Sequence, residues 1–123
     1  MPLGSRRDGD HFLTYLATRP SVGAPFSAIR EATELDATGF NTADAFLTQD
    51  GLTIYFTRAA DPVSDIWVAH RATKEATFDT PVPVPGASDP TYKEQDPFVA
   101  ADGTLYFTSN RDGPLNIYQA FPP

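Results

Sequence analysis

The sequence predicts an all-β fold made of short antiparallel sheets that recur along the chain. Three observations support this prediction. One segment recurs at a nearly constant interval, Asp-Gly pairs separate short runs rich in β-branched and aromatic residues, and those runs carry large apolar side chains on both faces. Short strands joined by tight turns at regular spacing are typical of all-β domains.

The repeat is clearest between residues 43–51 and 95–103. These segments share Asp, Phe, Asp and Gly at matching positions, and Asp44 and Asp96 are 96 − 44 = 52 residues apart. After one deletion, 54–57 matches 105–108, so the offset there is 105 − 54 = 51. Self-similarity at such a period indicates repeated supersecondary units.

An earlier partial copy precedes these two. Residues 15–19 align with 67–71, and Phe26 aligns with Phe78, both at an offset of 52. The three alignments therefore agree on a period of 51 or 52 residues.

The turn residues predict where the strands lie. Asp-Gly pairs favour tight hairpins, so Asp50-Gly51 joins a first strand near 44–48 to a second near 53–57. Asp102-Gly103 does the same in the later copy.

A longer turn, at 59–62 and again at 110–113, precedes a third strand near 65–70 and 115–120. A weaker fourth strand follows Phe78, and Phe26 opens its earlier counterpart.

The strand near 53–57 is apolar on both faces. Side chains alternate along a strand, so Ile54 and Phe56 share one face while Tyr55 lies on the other. Such a sheet must be covered on both sides. Four strands per period of roughly 40 to 50 residues, stacked in this way, is the spacing of β-propeller blades. A β-sandwich, with a polar outer face, fits less well.

The motifs resemble a known repeat. The later copy contains Asp96-Pro97-Phe98, Asp102-Gly103, Tyr106-Phe107-Thr108-Ser109 and Asn116-Ile117-Tyr118-Gln119-Ala120. This pattern resembles the WD40-like (PD40) β-propeller repeat of TolB-type proteins, and the resemblance spans about Arg6 to Ala120. The earlier copy departs from it with Ala45 for the proline and Trp67 for the tyrosine. The resemblance implies a non-enzymatic protein–protein interaction module in a periplasmic or extracellular setting.

The alignment divides the chain into incomplete and complete blades. Residues 1–5 are expected to be a disordered start or a cloning remnant, and 6–40 to hold the third and fourth strands of a blade. Residues 41–90 form a complete blade, and 91–123 the first three strands of the next. About two blades make an incomplete ring, because closed propellers have about 4 to 8. The chain is then a fragment of a longer propeller, which we favour, or a subunit that oligomerises through its open blade edges.

Composition narrows the possible partners. The 123 residues carry a formal charge of −7, and 5 − 11 = −6 of it lies in residues 41–123. Phosphate backbones and anionic lipids bind clustered Lys and Arg, so we expect no nucleic acid and no membrane insertion. Cysteine is absent, which removes disulfides and thiol chemistry. The opening residues lack the apolar stretch of a secretory signal.

The recurring aspartates are the main candidate site. Asp50 and Asp102 are expected to form turns by binding backbone amides. Asp44 and Asp96 begin the presumed inner strand, where they either bond loop amides or bind a ligand in a central channel. Recurrence in every copy argues against catalytic carboxylates.

A second candidate is Arg111, which we place on the same loop rim as Arg7, because loops on a rigid scaffold often bind partners. His11 and His70 lack further ligands at metal spacing, so no metal, cofactor or catalytic residue is expected. The position shared by Tyr15, Trp67 and Tyr118 predicts packing between blades.

Two rival functions stay open. One is the propeller portion of an enzyme, a peptidase gating domain or a polysaccharide lyase, which would be inactive alone. The other is a self-assembling structural piece without a ligand.

Overall fold

The protein is all-β, as predicted, and consists of three small antiparallel sheets. The computed structural model describes residues 3–8, 11–37, 39–60, 63–88 and 91–120. The first sheet contains β1 (Leu3–Asp8), β2 (His11–Thr18) and β3 (Ser27–Glu31); the middle sheet contains β4 (Asn41–Leu47), β5 (Thr53–Ala60), β6 (Val63–His70) and β7 (Val82–Pro83); the third sheet contains β8 (Glu94–Val99), β9 (Leu105–Ser109) and β10 (Asn116–Ala120). A 3-10 helix, Thr33–Leu35, lies between β3 and β4.

Each sheet is a meander in which consecutive strands are neighbours. The middle sheet has the predicted four strands, and its β5 pairs in register with β6, with Tyr55 opposite Val68. The flanking sheets have three strands each, one fewer than the middle sheet. Within the described residues, none of the sheets closes into a barrel.

The strand count of the first sheet differs from the expectation. Two strands were expected there, with residues 1–5 outside the fold, whereas Leu3–Asp8 forms β1 and pairs with β2 from Leu3 opposite Leu16 to Asp8 opposite His11. The described chain therefore has ten strands instead of nine. The sequence of β1 is rich in Gly, Ser and Arg, which have little intrinsic strand preference. Its pairing is imposed by the neighbouring strand, which a local pattern does not show.

The core lies between sheets rather than inside any one of them. Ile54 and Phe56 of the middle sheet pack against Leu16 and Leu35 from the first part of the chain. On the opposite face, Tyr55 of the same strand packs into a second cluster. That second cluster is built on Ile66, Ala87, Leu105 and Phe107. The middle sheet is thus covered on both faces, as its alternating apolar pattern predicts.

The crossovers between sheets repeat as the strands do. The Ala32 amide donates to the Thr14 carbonyl at 2.9 Å, and the Val84 amide donates to the Ile66 carbonyl at 2.9 Å. The donor and the acceptor of the second bond each lie 52 residues after those of the first, since 84 − 32 = 52 and 66 − 14 = 52. Each crossover then buries one apolar side chain, Leu35 or Ala87, between the adjacent sheets. The period therefore extends to the connections.

The Asp-Gly turns have the predicted chemistry. The amide of Leu52 donates to Asp50 Oδ1 at 3.0 Å, and the amide of Thr104 donates to Asp102 Oδ1 at 2.9 Å. Positive φ is confined to the glycine of each pair, with Gly51 at +76°. Both loops are longer than a two-residue hairpin, because the Thr48 amide donates to the Thr53 carbonyl and the Ala100 amide to the Thr104 carbonyl. The aspartate closes each loop through its side chain.

The described ranges contain no helix that could span a lipid bilayer.

Candidate binding groove at the first strands of two sheets

The first strands of the middle and third sheets carry the same backbone irregularity. The pairing register shifts between Ala43 and Phe46 in β4, and between Gln95 and Phe98 in β8. These shifts are β-bulges, which re-aim side chains and bend the strand. A bulge at the same repeat position in both sheets is an encoded feature of the repeat.

The predicted site residues lie at these bulges. Asp44 has φ of +52° and Asp96 has φ of +56°. Positive φ strains most residues. Among residues other than glycine, aspartate and asparagine tolerate it best. The repeated aspartate therefore suits the left-handed backbone of the bulge.

The structure brings the two aspartates together although 52 residues separate them. Asp96 Oδ2 accepts a hydrogen bond from Thr108 Oγ1 at 3.3 Å, and the Asp44 carboxyl lies beside that of Asp96. The partners of these carboxyls are thus threonine and carboxyl groups rather than the loop amides expected. Thr57 occupies the position of Thr108 in the preceding repeat, and 108 − 57 = 51.

The carboxyl pair has unfavourable electrostatics. Asp44 is exposed, yet partial desolvation raises its pKa above the ordinary aspartate value, and the Asp96 carboxylate raises it further. The nearby Thr57 hydroxyl opposes this rise, although it makes no hydrogen bond of ordinary geometry. Like charges in proximity are relieved by a proton or by a bound cation.

Two phenylalanines follow the aspartates and meet edge to face. The ring centroids of Phe46 and Phe98 are 5.1 Å apart at an interplanar angle of 64°. Phe98 also approaches Tyr106 at 6.5 Å and remains 53% exposed. A half-exposed aromatic ring that other rings hold in place offers an apolar surface to a ligand.

These rings form the floor of a groove. It has a volume of about 700 Å³ and lies between the two Asp-Gly turns, with Thr48, Gln49 and Asp50 on one wall and 99–101 on the other. Concave, mostly apolar sites of this size are where proteins usually hold ligands. The groove is built from two successive repeats, so neither sheet forms it alone.

Arg111, the third predicted binding residue, lies in the turn between β9 and β10 but has internal partners. Its Nη2 donates to the Gly86 carbonyl at 2.8 Å and to Glu94 Oε2 at 3.2 Å, while its Nε donates to Ser109 Oγ at 3.0 Å. Its guanidinium lies 5.1 Å from the ring centroid of Tyr118. Glu94 is fully buried, so Arg111 compensates an interior charge.

Arg58 makes a similar pair of contacts, to a backbone carbonyl and an aromatic ring, one interface earlier. Its guanidinium stacks on Trp67 at 4.1 Å, and Nη2 donates to the Leu35 carbonyl at 2.7 Å. Arg58 and Arg111 occupy different positions of the repeat, so the alignment does not relate them. Only the packing shows that each guanidinium donates to a crossover carbonyl and lies on the aromatic side chain at the repeat position of Trp67 and Tyr118.

The remaining candidates have ordinary surroundings. Trp67 packs in the first interface and Tyr118 in the second, which confirms their predicted role between sheets. His70 is exposed, with its ring Nδ1 3.0 Å from Thr53 Oγ1. Arg7 lies in β1 rather than in a loop, and the side chains of Arg7 and His11 are outside the described part.

The sequence missed Phe46, Phe98 and Glu94 as residues of interest. Phe46 and Phe98 were visible as a repeated position beside the aspartates, whereas nothing local marked the burial of Glu94. Within the described ranges, no cluster of three or more His, Asp or Glu side chains has the arrangement of a metal site.

Comparison with protein-family models, with curated proteins and with solved structures found no match to this chain.

Proposed function

We propose that this chain is a non-enzymatic binding module of the TolB-type β-propeller repeat class, whose groove at the inner strands holds a segment of another protein. The observation that carries the proposal is the convergence of Phe46 with Phe98 from successive repeats. The paired carboxyls of Asp44 and Asp96 come two residues earlier on the same strands and are not among the residues that line the groove. In this interpretation the three sheets are blades, and β4 and β8 are their innermost strands.

Support for the blade assignment comes from the repeated geometry. The bulge, the Asp-Gly turn and the crossover bonds recur at one period. A single site would not require all of these in each copy, whereas a radially repeated scaffold does.

The chemistry of the groove suggests the ligand. The phenylalanine floor favours an apolar or aromatic side chain, because burying such a group releases water from both surfaces. The carboxyl pair favours a neighbouring Lys or Arg, which would relieve the repulsion between Asp44 and Asp96. The net charge of −7 also attracts basic segments.

The test is selection from a random-peptide library displayed on phage, followed by fluorescence anisotropy with the selected peptides. We expect enrichment of peptides that place Lys or Arg next to an apolar residue. Phe98→Ala should weaken their binding at least about tenfold. Asp44→Asn should weaken it about fivefold, the effect of a partly screened charge pair.

Two matched variants serve as controls. Phe40→Ala removes another exposed phenylalanine, and Asp112→Asn makes the same charge change in the turn between β9 and β10; neither residue lines the groove. Both should bind as the wild type does. Peptides with no basic preference, or equal losses in controls and groove variants, would disprove the proposed role.

A further inference from the structure

The third sheet exposes a face whose counterpart is buried elsewhere in the same chain. Ile117 of β10 occupies the repeat position of Ile66 in β6, since 117 − 66 = 51. Ile66 is completely buried, whereas Ile117 is 75% exposed. We call the face that carries Ile117 the forward face, because the matching face of the middle sheet points towards the next sheet.

The forward face has the composition of a packing surface. Asp96, Phe98, Tyr106, Phe107, Thr108 and Ile117 line a shallow hollow of about 420 Å³ on it, so one carboxyl group borders a mostly apolar surface. On the middle sheet, the position of Tyr106 is held by Tyr55, which packs into the cluster shared with the third sheet. The forward face is therefore apolar in the same pattern as a face that carries a sheet.

The first sheet exposes the reciprocal surface, which we call its backward face. Phe26 is 40% exposed, whereas Phe78, its counterpart 52 residues later, is 4% exposed beneath the first sheet. Ile29 is likewise exposed, while its counterpart Pro81 is buried.

An arginine stacks on the phenylalanine of this surface in both repeats. Arg19 lies 4.2 Å from the ring of Phe26, and Arg71 lies 4.4 Å from that of Phe78. The backward face thus keeps the local geometry of a covered face.

We propose that the forward face of the third sheet binds the backward face of the first sheet of a second copy, head to tail. The two surfaces reproduce the two sides of the interfaces that already join the sheets within one chain, so a sheet of the same repeat is the occupant with matching shape. The contact is heterologous, and successive copies either close a ring or continue as a filament. The forward face shares Phe98 with the groove, but association of copies is measured without any peptide ligand.

The first test is the mass of the full chain by sedimentation velocity and light scattering over a concentration series. The wild type should form assemblies larger than a monomer. Ile117→Asp should raise the concentration needed for association at least about tenfold, because it places a charge in a desolvated contact. Phe26→Asp should have the same effect from the other side.

The matched control is Val22→Asp, which makes the same kind of change at an aliphatic residue that is 84% exposed in the loop between β2 and β3. It should associate as the wild type does. Circular dichroism of each variant verifies that it keeps its fold.

Mixing the two blocked variants gives the decisive experiment. Each retains one intact face, so Ile117→Asp and Phe26→Asp together should form a one-to-one dimer and nothing larger. A monomeric wild type at all concentrations, equal behaviour of Ile117→Asp and Val22→Asp, or failure of the folded pair to dimerise would overturn the proposal.

Discussion

At the scale of single residues, aspartate has two opposite roles within each repeat. In the Asp-Gly turns, the backbone amide of Leu52 lowers the pKa of Asp50, and that of Thr104 lowers the pKa of Asp102. At the bulge, desolvation and the neighbouring carboxylate raise the pKa of Asp44. The turn aspartates therefore stabilise the fold when ionised, while the bulge aspartate opposes it.

The first prediction concerns Asp44→Asn. Because the folded-state pKa of Asp44 is raised, its ionisation destabilises the native state, and the wild type gains stability as pH falls through that pKa. The variant should be more stable than the wild type near pH ~7, by less than about 1 kcal/mol because solvent screens the pair. Asparagine tolerates positive φ, so the bulge is preserved. Urea unfolding at neutral and mildly acidic pH measures the difference, which should vanish in acid.

Asp50→Asn is the control of opposite sign. A lowered folded-state pKa contributes stability above the unfolded pKa, and this is lost as pH falls through the folded value. This variant should be less stable at neutral pH and approach the wild type in acid. If both variants shift stability in the same direction, the electrostatic explanation is wrong.

At the scale of elements, proline limits the length of β7, an edge strand of the middle sheet. The sequence Pro81-Val82-Pro83-Val84-Pro85 allows a fourth strand of only two residues, since proline donates no amide hydrogen bond. Proline on an edge strand also discourages pairing with another chain through the backbone. The edge of the middle sheet at β7 is thus a poor site for backbone pairing with another chain.

The second prediction compares the same repeat position in two sheets. Ile66→Ala should cost about 3 kcal/mol of unfolding free energy, because it leaves a cavity between the middle and third sheets. Ile117→Ala should cost less than about 0.5 kcal/mol, as for other exposed positions. Denaturant unfolding at a protein concentration below that of association provides the comparison. Equal costs would contradict the burial difference between the two faces.

At the scale of the whole molecule, the three sheets stack in chain order with two interfaces between them. Stability in such an array comes largely from contacts between neighbouring units. The excess of acidic residues gives every copy the same sign of charge, which opposes association of the apolar end faces.

The third prediction follows from this electrostatic repulsion between copies. Raising the ionic strength screens repulsion between copies that each carry a charge of −7, so head-to-tail association should strengthen. Sedimentation velocity at about 0.05 M and about 0.5 M salt measures the change. Ile117→Asp should gain much less association, since its apolar contact is already disrupted. Weaker wild-type association at high salt would indicate a contact held by charge pairs instead.

The sequence by itself determined the repeat, the strand positions of the middle and third sheets, and the aspartate turns. These features depend on neighbours along the chain: alternation on a strand, the conformational freedom of Gly51, and an aspartate two residues from the amide that it binds. Only the tertiary structure decided that Asp44 meets Asp96, that Arg58 and Arg111 reach equivalent places, and that β1 joins the first sheet. Those contacts depend on the angle and spacing between sheets, which the packing of buried side chains sets and which no local pattern records.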